Sequence, residues 1–426
     1  MKRTTRTCSA LALVAVLTAA CGSQGSVGSP TARGPITIWY SNNEQEIDWG
    51  KAMVAEWNSS HPNEHITAQE IPAGKSSEEV IHAAIIAGNT PCLVLNTAPS
   101  AVAQFQREGG LVPLDDFPDG VQYATARTGA TVQQYKSADG KLYQLPWKTN
   151  PVMLFYNKKV FAKAGLDPDH PQLQTYAQVL AAARTLKQKG GVKAAIWPAP
   201  SNEYFQSWFD FYPLFAAATG GQQLLKGDTP QFDSPQGLAV AQFYRTLYDE
   251  GLAPRETYNG DSFAEGKAAM SFAGPWAVAA YKGKVDWGAV PVPTPTGEPA
   301  DQVHTFSDAK NIAIYSACKN QATAWDVAKF ATSPEQDGKL LQMTGQMPLR
   351  QGLTSAYASY FEKNPAYKDF ASAASRTVEV PNTLNSTAVW QAFRDEWGRG
   401  VIFGKESPQQ DLSKAARKIS TTVTKS

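Results

Sequence analysis

His61, Glu64 and His65 have the H-x-x-E-H spacing with which a helix can offer two imidazoles to a zinc ion and a carboxylate beside it. Pro62 and Asn63 stand between them, and the proline ring removes a backbone donor and breaks the helical path. A solvated turn is expected there. His82, His170 and His304 are scattered and complete no other ligand set, so no metal is expected. Ser307 to Lys310 and Ser316 to Lys319 satisfy S-x-x-K, and Lys148-Thr149-Asn150 approximates K-T-G. In penicillin-reactive serine enzymes the serine motif comes first and S-D-N lies between; here the order is reversed and S-D-N is missing. Ala73-Gly74-Lys75-Ser76 ends as a phosphate loop ends, but Gln69 occupies the upstream glycine position. The chain offers no catalytic or cofactor set, so neither an enzyme nor a bound cofactor is expected.

Aromatic residues are the other chemically loaded group: 11 Trp, 16 Tyr and 18 Phe in a chain that is only 18% charged. Sugar rings carry apolar C–H faces and polar hydroxyl rims, so a sugar site needs flat aromatic faces with fixed amide, carboxylate or guanidinium partners. The run Tyr204, Phe205, Trp208, Phe209, Phe211, Tyr212 and Phe215 has the faces, although helix core is the expected role of most of its members. Trp276 and Trp390 are the stronger candidates.

The ends of the chain bear on where such a site works. Lys2, Arg3 and Arg6 precede an apolar stretch from Leu11 to Leu17 and then small residues, the order of an export signal over 1–20. That stretch is too short to span a bilayer, which takes about 20 apolar residues, and no later segment is long enough. Thr18-Ala19-Ala20-Cys21-Gly22 resembles the lipobox of bacterial lipoproteins, in which the cysteine takes a diacylglycerol. Cys21 is therefore the expected lipidation site and residues 21–34, rich in Gly, Ser and Thr, a flexible tether. Three of the 39 basic residues leave with the signal, so 36 face 38 acidic ones, a balance that gives no basic face for nucleic acid. Cys92 and Cys318 remain. Cys92 lies in an apolar, strand-like run where a small buried thiol is expected, a disulfide being the alternative in an oxidising compartment.

These groups need elements to hold them. ITIWYS (36–41), a helix with Ile47, Gly50, Val54 and Trp57 on one face, and HITAQEI form a β-α-β unit. A helix over 77–87 leads to a third strand at 92–96. The first part therefore reads as a mainly parallel sheet covered by helices, with ligands expected beyond the strand ends at 41–44 and 96–100. Residues 145–167 read as a long strand and a glycine-stopped helix, followed by helices over 176–189, 202–219 and 235–251. A Pro-rich passage at 290–299, a strand within 304–317 and a helix over 321–332 complete the pattern. Nearly 400 residues exceed one core and imply two lobes.

Three runs resemble the carbohydrate-binding proteins of ATP-driven (ABC) importers, the group that includes the maltose-binding protein: YNKKVFAKAGLD, AEGKAAMSFAGPWAV (264–278) and VPNTLNSTAVWQAFRDE (380–396). The resemblance implies an α/β, two-lobe, periplasmic-binding-protein-like fold of type II with three hinge crossovers, near 147, 305 and 351. Lobe 1 would comprise 35–147 plus 306–350, and lobe 2 148–305 plus 351–426. It implies ligand contacts at Asn43, Glu44, Asn96, Asn150, Trp276, Ser307, Asp308 and Trp390, with Arg350 and Arg376 as lesser candidates for a hydroxyl or a phosphate; Trp208 of the aromatic run and Gly274 are further candidate contacts. The implied partners are a mono-, di- or oligosaccharide, an amino sugar or a glycerophosphodiester, and the transmembrane permease of the importer. A monomer held by its lipid at the extracytoplasmic face of the membrane is expected. The rival readings are a secreted glycan hydrolase, which needs two carboxylates about 5 to 10 Å apart, and a structural lipoprotein with no small ligand.

Overall fold

A computed structural model describes residues 28–42, 44–73, 76–198 and 206–423. In chain order its strands are β1 Ile36–Tyr40, β2 Ile66–Glu70, β3 Leu93–Thr97, β4 Leu145–Thr149, β5 Met153–Asn157, β6 Ala194–Ile196, β7 Leu225–Lys226 and β8 Thr229–Pro230. There follow β9 Ala268–Ala273, β10 Trp287–Val290, β11 Thr305–Phe306, β12 Lys310–Ile314, β13 Met347–Pro348 and β14 Thr377–Val378. Two larger sheets result, one in the order β13-β4-β12-β3-β1-β2 and one in the order β10-β5-β9-β6.

Local sequence accounts for much of this. Ser76 caps the helix Ser77–Ala87 by accepting from the Glu79 amide, and Gly88 ends it in the left-handed conformation that glycine adopts at no steric cost. Thr175 and Gln178 form a reciprocal capping box at the start of Tyr176–Thr185. The helix Glu44–Ser60 buries Trp49, Met53 and Trp57 against the first sheet, with Ile47 and Val54 only partly covered.

Each sheet has its own core. One gathers Ile38, Leu95, Trp147, Ile312 and Trp325; the other gathers Leu154, Trp208, Phe211, Tyr244, Phe393 and Trp397. The chain leaves the first sheet for the second at 149–153, re-enters the first after β11 at 306–310, and leaves it again after β13 at 348–353. The long strand expected after Leu145 is thus two strands in different sheets, broken at Asn150.

Three expectations are corrected. The sheets are mixed, not mainly parallel: of their eight strand pairings five are antiparallel. Only β1, β2, β3 and the β6–β9 pair keep the parallel order of β-α-β units, because a strand returning from the other lobe enters from the opposite end. Cys92 and Cys318 form a disulfide. Cys92 precedes β3 and Cys318 follows its antiparallel neighbour β12, where Leu93 pairs with Ile314, so both cysteines come to the same end of the sheet. Residues 28–34, expected within the tether, are bound to the body: Ala322 N donates to Ala32 O, and Arg33 pairs with Glu64 and Asp326.

Beneath the last crossing lies a buried ion cluster. Both Asp337 oxygens accept from Arg127, at 2.5 and 2.9 Å, and Arg350 Nε donates to Oδ2 at 2.8 Å. Arg127 also donates to the Pro146 and Trp147 carbonyls, which ties helix 120–128 to β4. Arg350 is therefore a structural tie and not a ligand arm. Asp337→Asn leaves two guanidiniums facing a neutral amide; a buried charge robbed of its partner costs about 3–5 kcal/mol. Urea unfolding should show a loss of that size, and a loss under about 1 kcal/mol would contradict this role.

Candidate binding cleft

β1, β3 and β4 run the same way in the first sheet, so their carboxyl ends share an edge, and the antiparallel β12 begins there with Lys310 opposite Lys148. In the second sheet β9 ends where β5 begins, Ala273 pairing with Met153. The Gly274-Pro275-Trp276 turn therefore emerges beside the Asn150–Val152 crossing. The crossings thus join the two sheets at these edges.

A buried polar network fills the first edge. The Lys148 ammonium, wholly buried, donates to Glu46 Oε2 at 2.7 Å and to Asn96 Oδ1 at 3.1 Å. Burial pulls its pKa down and Glu46 pushes back. Gln346 donates to the other Glu46 oxygen at 2.6 Å, and Asn150 Nδ2 donates to the Asp308 carbonyl at 3.1 Å and lies 3.4 Å from Gln346 Oε1. Ser307 Oγ accepts from the Asn150 amide and bonds Thr149, while Asp308 pairs with Lys310. Asn96 holds φ at 105°, a left-handed value that asparagine tolerates better than most residues and that tends to mark functional sites. Asn150 Oδ1 is buried with no partner among the described residues. A buried, unsatisfied acceptor costs about 1–3 kcal/mol unless something donates to it.

The second edge supplies the aromatic wall. Trp276 is partly exposed and its ring lies across Gly274, where an added Cβ would sit 1.9 Å from Cζ3. Only glycine leaves room for the ring in that position. Phe209 meets Trp276 edge-on at 6.0 Å and Phe306 at 6.1 Å, which carries the wall to the Ser307 crossing. Trp208 and Trp390 stack on each other with centroids 5.2 Å apart and are only 2% and 3% exposed. They hold the helices Gln206–Ala218 and Ser386–Trp397 together behind the wall.

The structure thus brings Asn96, Asn150, Ser307 and Asp308 into one cluster, with Gly274 and Trp276 beside it. Glu44 opens the first helix, and Asn43, Tyr204, Phe205 and Cys21 lie outside the described residues. Sequence reasoning missed Lys148, Glu46 and Gln346 as the groups that hold Asn96 and Asn150. The signal available was a lysine inside the apolar run LPWKT, which burial obliges to find a carboxylate. His61 stacks on Trp57 and Glu64 pairs with Arg33, so the H-x-x-E-H letters serve the fold.

The sequence profile of bacterial extracellular solute-binding proteins matches residues 42–338. The chain belongs to this family. Among curated relatives, the maltotriose-binding protein of Pyrococcus abyssi is 24% identical over 365 residues, 84% of this chain and 75% of its own length. The sn-glycerol-3-phosphate-binding periplasmic protein of Escherichia coli is 24% identical over 419 residues, 92% of this chain and 93% of that one. The crystal structure of the cyclic alpha-maltosyl-1,6-maltose binding protein from Arthrobacter globiformis matches with a TM-score of 0.78 at 22% identity, over 92% of this chain and all of the other. The two-lobe fold is therefore the one these binding proteins share. Membership places this solute-binding protein outside the cytoplasm, and no helix among its described residues is long and apolar enough to cross a membrane.

One further residue at the lobe contact bears on how this solute-binding protein responds to pH. Glu379, next to β14, is 1% exposed. Its amide donates to Gln134 from the first lobe, and its carbonyl accepts from Tyr212. Burial raises its carboxyl from 4.5 to about 8, the nearby Tyr135 and Ser307 hydroxyls pulling it partly back. Between those two values the folded chain holds a proton that the unfolded chain has lost, so this group's contribution to stability falls as pH rises, by about 1.4 kcal/mol per pH unit. Glu379→Gln should flatten that dependence and be the more stable form at pH 8. Unfolding free energies at pH 5 and pH 8 with the same slope in both proteins would contradict the assignment.

Proposed function

We propose that this solute-binding protein captures a carbohydrate or sugar derivative between its lobes and hands it to the permease of an ABC importer. The observation that carries the reading is the pairing of a partly exposed indole, Trp276, with the Asn150, Asn96 and Asp308 cluster at the crossings. An apolar face beside amide and carboxylate groups suits a polyhydroxylated ring. Trp276 is the stacking platform, with Trp208 and Trp390 bracing it from behind. Asn150 Oδ1, lacking a donor among the described residues, accepts from a sugar hydroxyl, and Asn43 and Glu44 add further ligand contacts. The matches to maltotriose- and glycerol-3-phosphate-binding proteins support the ligand class.

In this reading residues 35–147 plus 306–350 form one lobe and 148–305 plus 351–426 the other. They close about the three crossings because some contacts exist only when both lobes touch the ligand. The chain is a monomer, exported by residues 1–20 and held at the membrane through lipidated Cys21. It performs no chemistry on its ligand, so a bound oligosaccharide is recovered intact.

A melting screen against mono- and oligosaccharides, amino sugars and glycerophosphodiesters should find a stabilising ligand, since whatever binds only the folded state raises Tm. Trp276→Ala should then weaken that ligand by tenfold or more, about 1.4 kcal/mol, while melting alone stays near wild type. A screen with no stabilising member favours the structural-lipoprotein reading, and unchanged affinity removes Trp276 from the site.

A further inference from the structure

A second concavity lies beside the 306–310 crossing, where Ser307 N donates to the Val378 carbonyl on its wall. It has a volume of about 590 Å³ and runs between the turn carrying Gln134 and Lys136 and the strand Thr377–Val378, with Gln223, His304, Arg376 and Asn382 on its far wall. Val132 and Tyr135 anchor that turn in the first core, whereas Val378 and Val303 belong to the second, so the walls come from both lobes. None of the aromatic wall or of the Lys148 network lines it.

Among the described residues no carboxylate lines the groove, and none of its Lys136, His304 and Arg376 side chains forms an ion pair. Several arginines elsewhere are tied to acids: Arg33 to Glu64 and Asp326, Arg184 to Glu250, Arg245 to Asp249. Arg376 instead spends Nε on the Val303 carbonyl at 3.1 Å and Nη2 on the Ala300 carbonyl at 3.4 Å. A guanidinium carries five N–H donors, so most of its capacity is unspent. Asp301 and Asp369 flank Arg376 in the adjoining pocket without forming an ion pair with it. His304 Nδ1 and Asn382 Oδ1 are also buried without partners among the described residues, which leaves polar capacity at this wall.

We propose that this groove is a second ligand site, separate from the sugar cleft, and that it takes a small phosphate-bearing anion held between Lys136 and Arg376. A planar guanidinium binds phosphate oxygens in pairs and an ammonium adds a point charge, while the amides of Gln134 and Gln223 supply neutral donors. Because one cation comes from each lobe, the anion bridges the lobes. Its occupancy then changes affinity in the cleft by the same factor by which the cleft's ligand changes anion affinity.

The test needs no sugar, so it is independent of the carbohydrate reading. Inorganic phosphate titrated calorimetrically into the mature chain at constant ionic strength should give saturable binding. Arg376→Gln and Lys136→Gln should each weaken it by tenfold or more, while Arg33→Gln, whose guanidinium is tied to Glu64 and Asp326, leaves it unchanged. Lys136 is on the groove rim, so its variant reports even where Arg376→Gln disturbs the second lobe. Methyl phosphate serves as a parallel probe: tighter binding than inorganic phosphate assigns an ester, weaker binding a free anion, and either supports the site. No saturable heat with either probe, or binding indifferent to both substitutions, would overturn it.

Discussion

An ammonium sealed from water governs this molecule. Lys148 has no exposed surface, and an isolated buried charge is so costly that its surroundings must be arranged to receive it. Glu46 from the first helix and Asn96 from the end of β3 do so, and Gln346 near the last crossing holds the second Glu46 oxygen. Three separate parts of the chain are thereby fixed at one edge of the first sheet, beside the passage where β4 leaves for the other lobe. Asn150, two residues on, inherits that rigidity, and its side-chain amide is set between Asp308 and Gln346. A ligand meeting this edge finds polar groups already oriented, which lowers the ordering cost of binding.

The second lobe answers with packing where the first uses charge. Trp208, Trp390, Phe393 and Trp397 form a continuous aromatic core, and the ring that reaches its margin is Trp276, laid over a glycine that must have no side chain. The apolar and polar halves of the cleft are thus built by different means. Both depend on the same three crossings, and the antiparallel strands those crossings create also bring Cys92 to Cys318.

Much of this was legible in the residues. Helices 77–87 and 321–331 declared themselves through apolar spacing, and the GPW turn and the late tryptophan helix pointed to the second-lobe wall. What local sequence could not carry was long-range. The break at Asn150 leaves no local mark because both strands it separates are largely apolar, and only the family resemblance put a crossing near it; the antiparallel returns follow from topology, not from any window of the chain. The disulfide was under-read for the same reason: 226 residues separate its halves, and only the β3–β12 pairing joins them. Trp208 and Trp390 have the residue type of a sugar platform, yet each is covered by the other, and periodicity cannot tell a ring at a helix interface from a ring at a cleft. Arg350 likewise looked available until Asp337 was found beside it.

The central claim is that a ligand is gripped from both lobes at once, by the Asn150 edge and the Trp276 turn. Hydrogen exchange of the mature chain, with and without a stabilising sugar, tests this directly. The account predicts new protection in both 96–101 with 149–153 and 274–281, together with slower exchange at the crossings. Protection confined to one lobe while the sugar is bound would contradict it.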